Sequence, residues 1–446
     1  MTHPVIKNAF EKQYQRGYEV KIVNPNDKEE FAQWQYATYV GFLEEFDLNE
    51  RTIEEYRQCF LNYRSLGIYD PKNLSPEIPI ATISSYETLL HTPGMQVPVL
   101  AVTCVVTAST HQRQGLSRAM ITEQLQLAKE LNLAIVALTA SEGGIYGRYG
   151  FGQASWSNNL CVLTRDFALK SQPAELVKTV RLNAVKPQKL LQSVSALYDR
   201  TQGNGDVSRN EPWWRMALRI AELRNYNHGR SGETYAFIAT DLDAPIVLDN
   251  NVSQVRGYVI YRVETGDPAK IVVDDLIAET PAAYLALWNL LANVGLVGEV
   301  HCAARPIDEP LIHAVQDSRA VQLRNRTDKL WLRIIDVPMA LAGRKYGAAG
   351  KVVLKISDDL GFIAGVFELT VTPDLAGQVK ELNDEAELNE GNCIEMSAQT
   401  LAMSYLGANS ITTLQQAGLI TGPNSQIVIL DRIFATTKQP FLNTPF

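Results

Sequence analysis

The run Val105–Met120, VVTASTHQRQGLSRAM, passes from an apolar strand through a polar turn into a helix start. Arg113, Gln114 and Gly115 crowd the joint. A helix start leaves several N–H groups without intrahelical partners, and the macrodipole makes that end partly positive. The chemistry such a joint suits is anion binding. Gly115 permits close backbone approach and unusual dihedrals, while Arg113 and Arg118 add charge that pairs with phosphate. The spacing is neither the GxxxxGK[ST] loop nor the three-glycine dinucleotide fingerprint. On the residues alone two readings stand, a phosphate cradle and a plain helix entry with solvent-exposed arginines.

Other groups offer less. Trp213 and Trp214 in RNEPWWRMAL could stack a ligand or anchor a domain interface. Asp274-Asp275 is a carboxylate pair without the companions that a metal or hydrolase site needs. Cys59, Cys104, Cys161, Cys302 and Cys393 are odd in number and far apart. They read as reduced core residues, so neither a disulfide framework nor a metal is expected.

The elements that must hold the joint follow from pattern. Strands are expected at YEVKIV, IPIATISSYE, VPVLAVTCVVT and LAIVALTA, with two helices after the first. The helix after Gly115 sets Leu116, Ala119, Met120, Leu127, Ala128 and Leu131 on one face, which fixes its N-terminus. A second run from VKTVRLNAV repeats the order. There VVDDLIAETPAAYLALWNLLANVGLVGEVHC redraws the strand, helix and strand, with Glu279-Thr280-Pro281-Ala282 in place of the special turn. From Lys351 the style changes: strands KVVLKIS and GFIAGVFELTV, then short helices AQTLAMSYLG and ITTLQQAG that end in Gly. This gives an α/β (α+β) chain of three parts, 1–175, 176–340 and 341–446, expected to pack on one another.

At 446 residues the length suits several domains, and the apolar fraction of 46% is that of a globular protein. The net charge of -8 gives no global attraction to nucleic acid or acidic lipid, and makes a cationic small molecule the more natural partner. No apolar run approaches the ~18 residues of a membrane span, and the first residues carry no signal core. A cytoplasmic protein without nucleic-acid or membrane partners is expected.

Gln112-Arg113-Gln114-Gly115-Leu116-Ser117 resembles the acetyl-coenzyme A pyrophosphate loop of the GNAT N-acetyltransferases, Q/R-x-x-G-x-G/A, with Ser117 in the last position. Together with ALTASEGGIYGRYGFGQASW, the loop looks like the Eis (enhanced intracellular survival) family over nearly the whole chain. The resemblance implies a catalytic GNAT domain, a second GNAT-like domain lacking the cofactor loop, and a C-terminal domain similar to sterol carrier proteins. It also implies a homohexamer that acetylates amines, aminoglycosides among them, often at several positions, with acetyl-CoA as cosubstrate.

Carried over by residue, the resemblance gives Val105, Val106 and Thr107 to the pantetheine arm. It gives Arg113, Gln114, Gly115, Leu116, Ser117 and Arg118 to the pyrophosphate, with Ser141 and Glu142 nearby. Gln112 and Gln114 stand where the family tends to show arginine. Tyr146 matches the proton donor to the coenzyme A sulfur, since a phenol near pKa 10 can protonate a developing thiolate. The base is implied to be the C-terminal carboxylate of Phe446, threaded back into the site, with burial raising its basicity. The apolar tail RIFATTKQPFLNTPF, which has no acid after Asp431, opposes the usual frayed end.

YVGFLEEFDLNE lies early in the GNAT domain, where acceptor-lining helices are implied. Glu44, Asp47 and Trp34 are the expected amine-site residues; a solvated helical face is the other reading of the carboxylates. Pro445 brings no charge beside the terminal residue. Two other functions stay open, a protein lysine acetyltransferase and an acyl-CoA or lipid sensor without amine turnover.

Overall fold

The computed structural model describes residues 3–44, 50–170, 180–186, 189–218, 234–243, 254–382, 393–444 and 446. Strands β1 (Glu19–Ile22), β2 (Arg64–Tyr69), β3 (Ala81–Thr92), β4 (Met95–Thr107), β5 (Ile135–Thr139) and β6 (Gly152–Gln153) build the first sheet. Its helices are α1 (Glu11–Gln15), α2 (Lys28–Gly41), α3 (Glu50–Phe60), α4 (Leu116–Glu130) and α5 (Gly143–Tyr146). Asp27 starts α2 by accepting from the N–H groups of Glu29 and Glu30, both at 3.1 Å. Strand β2, absent from the sequence reading, is buried along its whole length, so it lacks the alternation that marks a half-exposed strand.

Helix α4 buries Leu116, Ala119, Met120, Leu127 and Ala128, as their spacing requires. Its fully buried Glu123 takes a bidentate pair from Arg64 of β2, at 2.5 and 3.2 Å. A paired charge at that depth sets the rotation of α4 on the sheet, because slippage would strand both ions away from water.

The second sheet holds β7 (Trp156–Leu163), β8 (Val180–Val185), β9 (Thr234–Asp241), β10 (Val255–Glu264), β11 (Ala269–Ala278), β12 (Val297–Arg305) and β13 (Val321–Asp328). Its order is β13-β7-β12-β11-β10-β9-β8. The described helices beside it are α6 (Leu191–Thr201), α7 (Glu211–Ala217), α8 (Pro281–Ala292) and α9 (Leu311–Ala314). The redrawn turn before α8 is closed to anions. Thr280 caps the N–H of Ala283 at 3.2 Å, and Pro281 has no N–H to offer.

Strand β14 (Leu330–Ile334) then returns to the first sheet, giving the order β1-β2-β3-β4-β5-β14-β6. The segments 1–175 and 176–340 therefore do not coincide with the sheets. The first compact unit comprises Met1–Ser155, Gly203–Val207 and Asp328–Phe446; the second comprises Trp156–Gln202 and Ser208–Thr327. Short apolar runs such as β7 and β14 carry no address in their own composition, and only register with distant strands assigns them.

The remainder of the first unit holds α10 (Val337–Ala342), β15 (Gly350–Ser357), β16 (Gly365–Val371), β17 (Gly377–Glu381), β18 (Cys393–Ser397), α11 (Ala398–Tyr405), α12 (Ile411–Gln416), β19 (Ile420–Thr421) and α13 (Asn424–Phe434). The sheet order is β17-β16-β15-β18-β19. Its core is continuous with one side of the first sheet: Ile135, Ala137, Leu330 and Leu332 cluster with Leu354, Leu401, Tyr405 and Leu442. Arg333 of β14 and Asp358, both buried, pair at 2.6 Å across the same junction. The five cysteines are free, and no described helix is long and apolar enough to cross a membrane.

Candidate active site

Gly115 is the N-cap of α4, with φ +78, and no side chain caps the helix. Arg113, two residues earlier, is also left-handed, at φ +61. This alternation turns successive N–H groups toward one side. Those of Leu116, Ser117 and Arg118 precede the first helical bond, from Ala119 to the carbonyl of Gly115. A Cβ on Gly115 would meet nothing nearer than the Gln13 amide at 3.9 Å, so the approach to the loop is open.

The loop is held from outside. Arg16 donates to the carbonyl of Gln114 at 3.1 Å, and the Tyr18 hydroxyl donates to the Gln114 side-chain oxygen at 2.6 Å. Gln114 is a strut that fixes the loop to the turn between α1 and β1. The Ser117 hydroxyl lies 3.0 Å from that of Thr107 at the end of β4, which ties the helix start to the strand. Arg113 and Arg118 are exposed and free to meet an anion.

Strands β4 and β5 pair in parallel at Leu100 with Val136, Ala101 with Ala137 and Val102 with Leu138, and their register ends there. Strand β4 nevertheless continues to Thr107, which pairs with Ala81 of β3. The cause is a bulge. Between Thr103 and Val106 the β3 register slips, with Cys104 at φ +55. Thr82 donates to the carbonyl of Cys104 at 2.9 Å, so the bulge is satisfied internally. Past Val102 the β5-facing backbone of β4 is left for an extended, amide-bearing ligand.

The far end of β5 gathers two more groups. The Thr139 hydroxyl donates to the terminal carboxylate of Phe446 at 2.5 Å. Two residues on, Ser141 hydrogen-bonds the Tyr146 side chain. Tyr146 is 4% exposed and meets Phe151 and Trp331 edge-on or tilted, with centroids at 6.0 and 6.4 Å. Burial pushes its phenol up to about 12, the Glu142 charge adds to the rise, and the Ser141 bond opposes it. The near match to a thiol expected from the reference phenol is thus replaced by a donor that stays protonated. The Phe446 ring meets Tyr86 of β3 edge-on at 6.2 Å, and Tyr86 stacks on Tyr63 at 4.2 Å. Leu442 and Thr444 are buried, each 2% exposed, so the tail is packed to within two residues of its end.

Residues 19–154 match the family model of an acetyltransferase (GNAT) domain, and residues 205–334 match a second model of that description. Residues 337–443 match a sterol carrier protein domain. N-acetyltransferase Eis of Mycobacterium tuberculosis is 32% identical over 356 residues, 78% of this chain and 81% of that one. The chain belongs to the Eis family of GNAT N-acetyltransferases. An uncharacterized N-acetyltransferase of Streptomyces avermitilis is 29% identical over 429 residues, covering 94% of this chain and 97% of the relative. The crystal structure of Eis1 from Mycobacterium abscessus superposes with a TM-score of 0.76 at 28% identity, over 96% of this chain and 100% of that one.

A GNAT domain takes acetyl-CoA as acyl donor, and this Eis-family chain has the parts that fit it: open N–H groups at α4, two exposed arginines and a stretch of β4 past Val102 that pairs with β3 but not with β5. On the acceptor side the agreement is uneven. Glu44 follows α2, its N–H bonds the carbonyl of Tyr39, and its charge is felt at Cys104 beside the bulge. Asp47 lies outside the described residues. Trp34 is a correction: it is 0% exposed, wedged between Phe31 and Phe60, and its indole N–H is spent on the carbonyl of Leu66. Its place on the inner face of α2 decides this, which an aromatic-rich stretch does not reveal. Thr139 and Tyr86, which contact Phe446, and Tyr63, which stacks on Tyr86, are not among the sequence candidates. Thr139 had a signal, as the polar end of an apolar strand; the tyrosines had none.

The other groups singled out have structural partners. Arg209 stacks on Trp213 at 3.8 Å and Tyr198 at 4.0 Å, so the tryptophans enclose a cation of the chain itself. Asp275 pairs with Arg209 and Asp274 with Arg262. Among the described residues, Cys161, Glu299 and His301 converge within 4.8 Å, a grouping hidden by the sequence separation of β7 and β12. Arg324 donates to the Cys161 sulfur at 3.5 Å, and that positive charge disfavours a cation there.

Proposed function

We propose that this enzyme transfers acetyl groups to primary amines of aminoglycosides or similar polycations, at more than one position per molecule. Acetyl-CoA supplies the acyl thioester. The N–H groups opening α4, with Arg113 and Arg118, hold the pyrophosphate, while Val105, Val106 and Thr107 align the pantetheine arm and offer N–H donors to developing negative charge. Tyr146 gives its proton to the leaving sulfur. The Phe446 carboxylate takes one from the acceptor ammonium.

The observation that carries this reading is the end of β5, where Thr139 holds the carboxylate two residues from the serine that bonds Tyr146. An acid and a base on one short backbone segment serve two ends of a single reacting group. Glu44 and Asp47 attract the polycation, in keeping with the net charge of -8; Trp34 has no part. A cytoplasmic homohexamer belongs to the same reading.

Thiol release from acetyl-CoA against aminoglycosides, polyamines and lysine peptides tests it. Release with aminoglycosides is expected. Silence with all three, while coenzyme A still binds, would transfer the assignment to a sensor. For the cofactor loop, Gly115→Val should raise the acetyl-CoA Kd at least tenfold by calorimetry, since a β-branched residue resists the left-handed backbone by about 1–2 kcal/mol and narrows the open approach. An unchanged Kd removes the loop from the pyrophosphate site.

A further inference from the structure

Five residues, Gly203–Val207, belong to the first compact unit although the chain on both sides belongs to the second. One edge of this segment lies on β3. Gly205 donates to the carbonyl of His91 and His91 to that of Asp206, both at 2.8 Å, and Val207 bridges Leu90. The other edge lies on the C-terminal tail. The Phe441 N–H donates to the carbonyl of Asn204 at 2.9 Å, and the Asn443 N–H donates to the Asp206 carboxylate at 3.4 Å. Asn204 also donates to the carbonyl of Leu406 at 2.7 Å. Gly205, at φ +94, sits so close that a Cβ would lie 2.8 Å from the Phe441 nitrogen.

We infer that Gly203–Val207 is a clasp that positions the terminal carboxylate, with Gly205 and Asp206 as its positioning residues. The inference rests on the assignment of Phe446 as base. Three residues span at most about 10 Å, so a fixed Asn443 confines the carboxylate to the neighbourhood of Thr139. Without the clasp the tail loses its backbone bonds at Phe441 and Asn443 and is left to the packing around Leu442 and Thr444, so the carboxylate samples a larger volume. Misplacement of a reacting group by 1 Å can cost about 10²-fold. A segment that lies in sequence between elements of the second unit thus holds the tail within the first.

The test compares the full-length enzyme with Gly205→Val, Asp206→Ala and Asp206→Asn, and with the chain lacking Phe446. Gly205→Val and Asp206→Ala should lower kcat at least tenfold with the acetyl-CoA KM within twofold of wild type. Both should speed release of Phe446 by a carboxypeptidase that accepts a penultimate proline. Asp206→Asn keeps an acceptor for Asn443 and should recover most of kcat. Should Gly205→Val not fold, the Asp206 pair decides alone. Wild-type kcat and wild-type Phe446 release in both disruptive variants would overturn the clasp. Full activity of the chain lacking Phe446 would instead overturn the base, and the carboxypeptidase rates would still judge the clasp.

Discussion

Deleting Phe446 should lower kcat by about 10²–10⁴ while leaving acetyl-CoA affinity unchanged, the range that a positioned general base contributes. The truncated chain still ends in a carboxylate, but one residue short, about 3.5 Å from where Thr139 waits. Phe446→Ala separates ring from charge. It keeps the carboxylate and loses the ring's edge contact to Tyr86 and its packing against the C-terminal core, so a smaller fall, about tenfold, is expected. The pH profile identifies the lost group. Without a base, turnover depends on the free amine already in solution, so log kcat/KM should rise with unit slope up to the acceptor's own pKa, where the wild type is flatter. Steady-state kinetics from pH 6.5 to 9.5 decide it; a deletion variant with wild-type rate and profile removes the terminal base.

Tyr146→Phe should cost a similar factor in kcat. The ring keeps its contacts to Phe151 and Trp331, and only the hydroxyl bonded to Ser141 is lost. Stability should change by no more than about 1 kcal/mol, the net value of one hydrogen bond, and acetyl-CoA binding should persist. The phenol at about 12 lies above a thiol near 8.5, so full transfer in the resting site runs uphill by roughly 5 kcal/mol. Transfer is therefore late, after the sulfide charge has developed. The sign of the shift also has a consequence: the active form is the protonated one, so a raised value moves its loss to higher pH. Tyr146 should impose no alkaline fall on wild-type kcat below about pH 11. Unimpaired turnover in Tyr146→Phe with intact folding would disprove the acid.

The loop and the tail were legible because their signals are local. Arg113, Gly115 and the apolar face of α4 lie within one turn and one helix, and the apolar ending after Asp431 is visible by eye. Ser117 departs from the family pattern, yet the structure gives it a partner in Thr107. Trp34 failed for the opposite reason: a helix in a mixed aromatic and acidic stretch does not announce which face turns inward. Cys104 reads as a core residue and its thiol is buried, while its backbone also makes the bulge that parts β4 from β5.

The sequence by itself determined the local features: a glycine joint with flanking arginines at a helix start, a tyrosine in a glycine-rich turn, an acidic chain and an apolar terminus. Tertiary structure decided which groups meet. Strand β14 completes the first sheet from beyond the second, Gly203–Val207 crosses back to grip the tail, and Thr139 holds a carboxylate 307 residues away. Helix caps and turns are set by neighbours in the chain, whereas strand pairing, burial and the pKa shifts they cause depend on residues that only folding brings together.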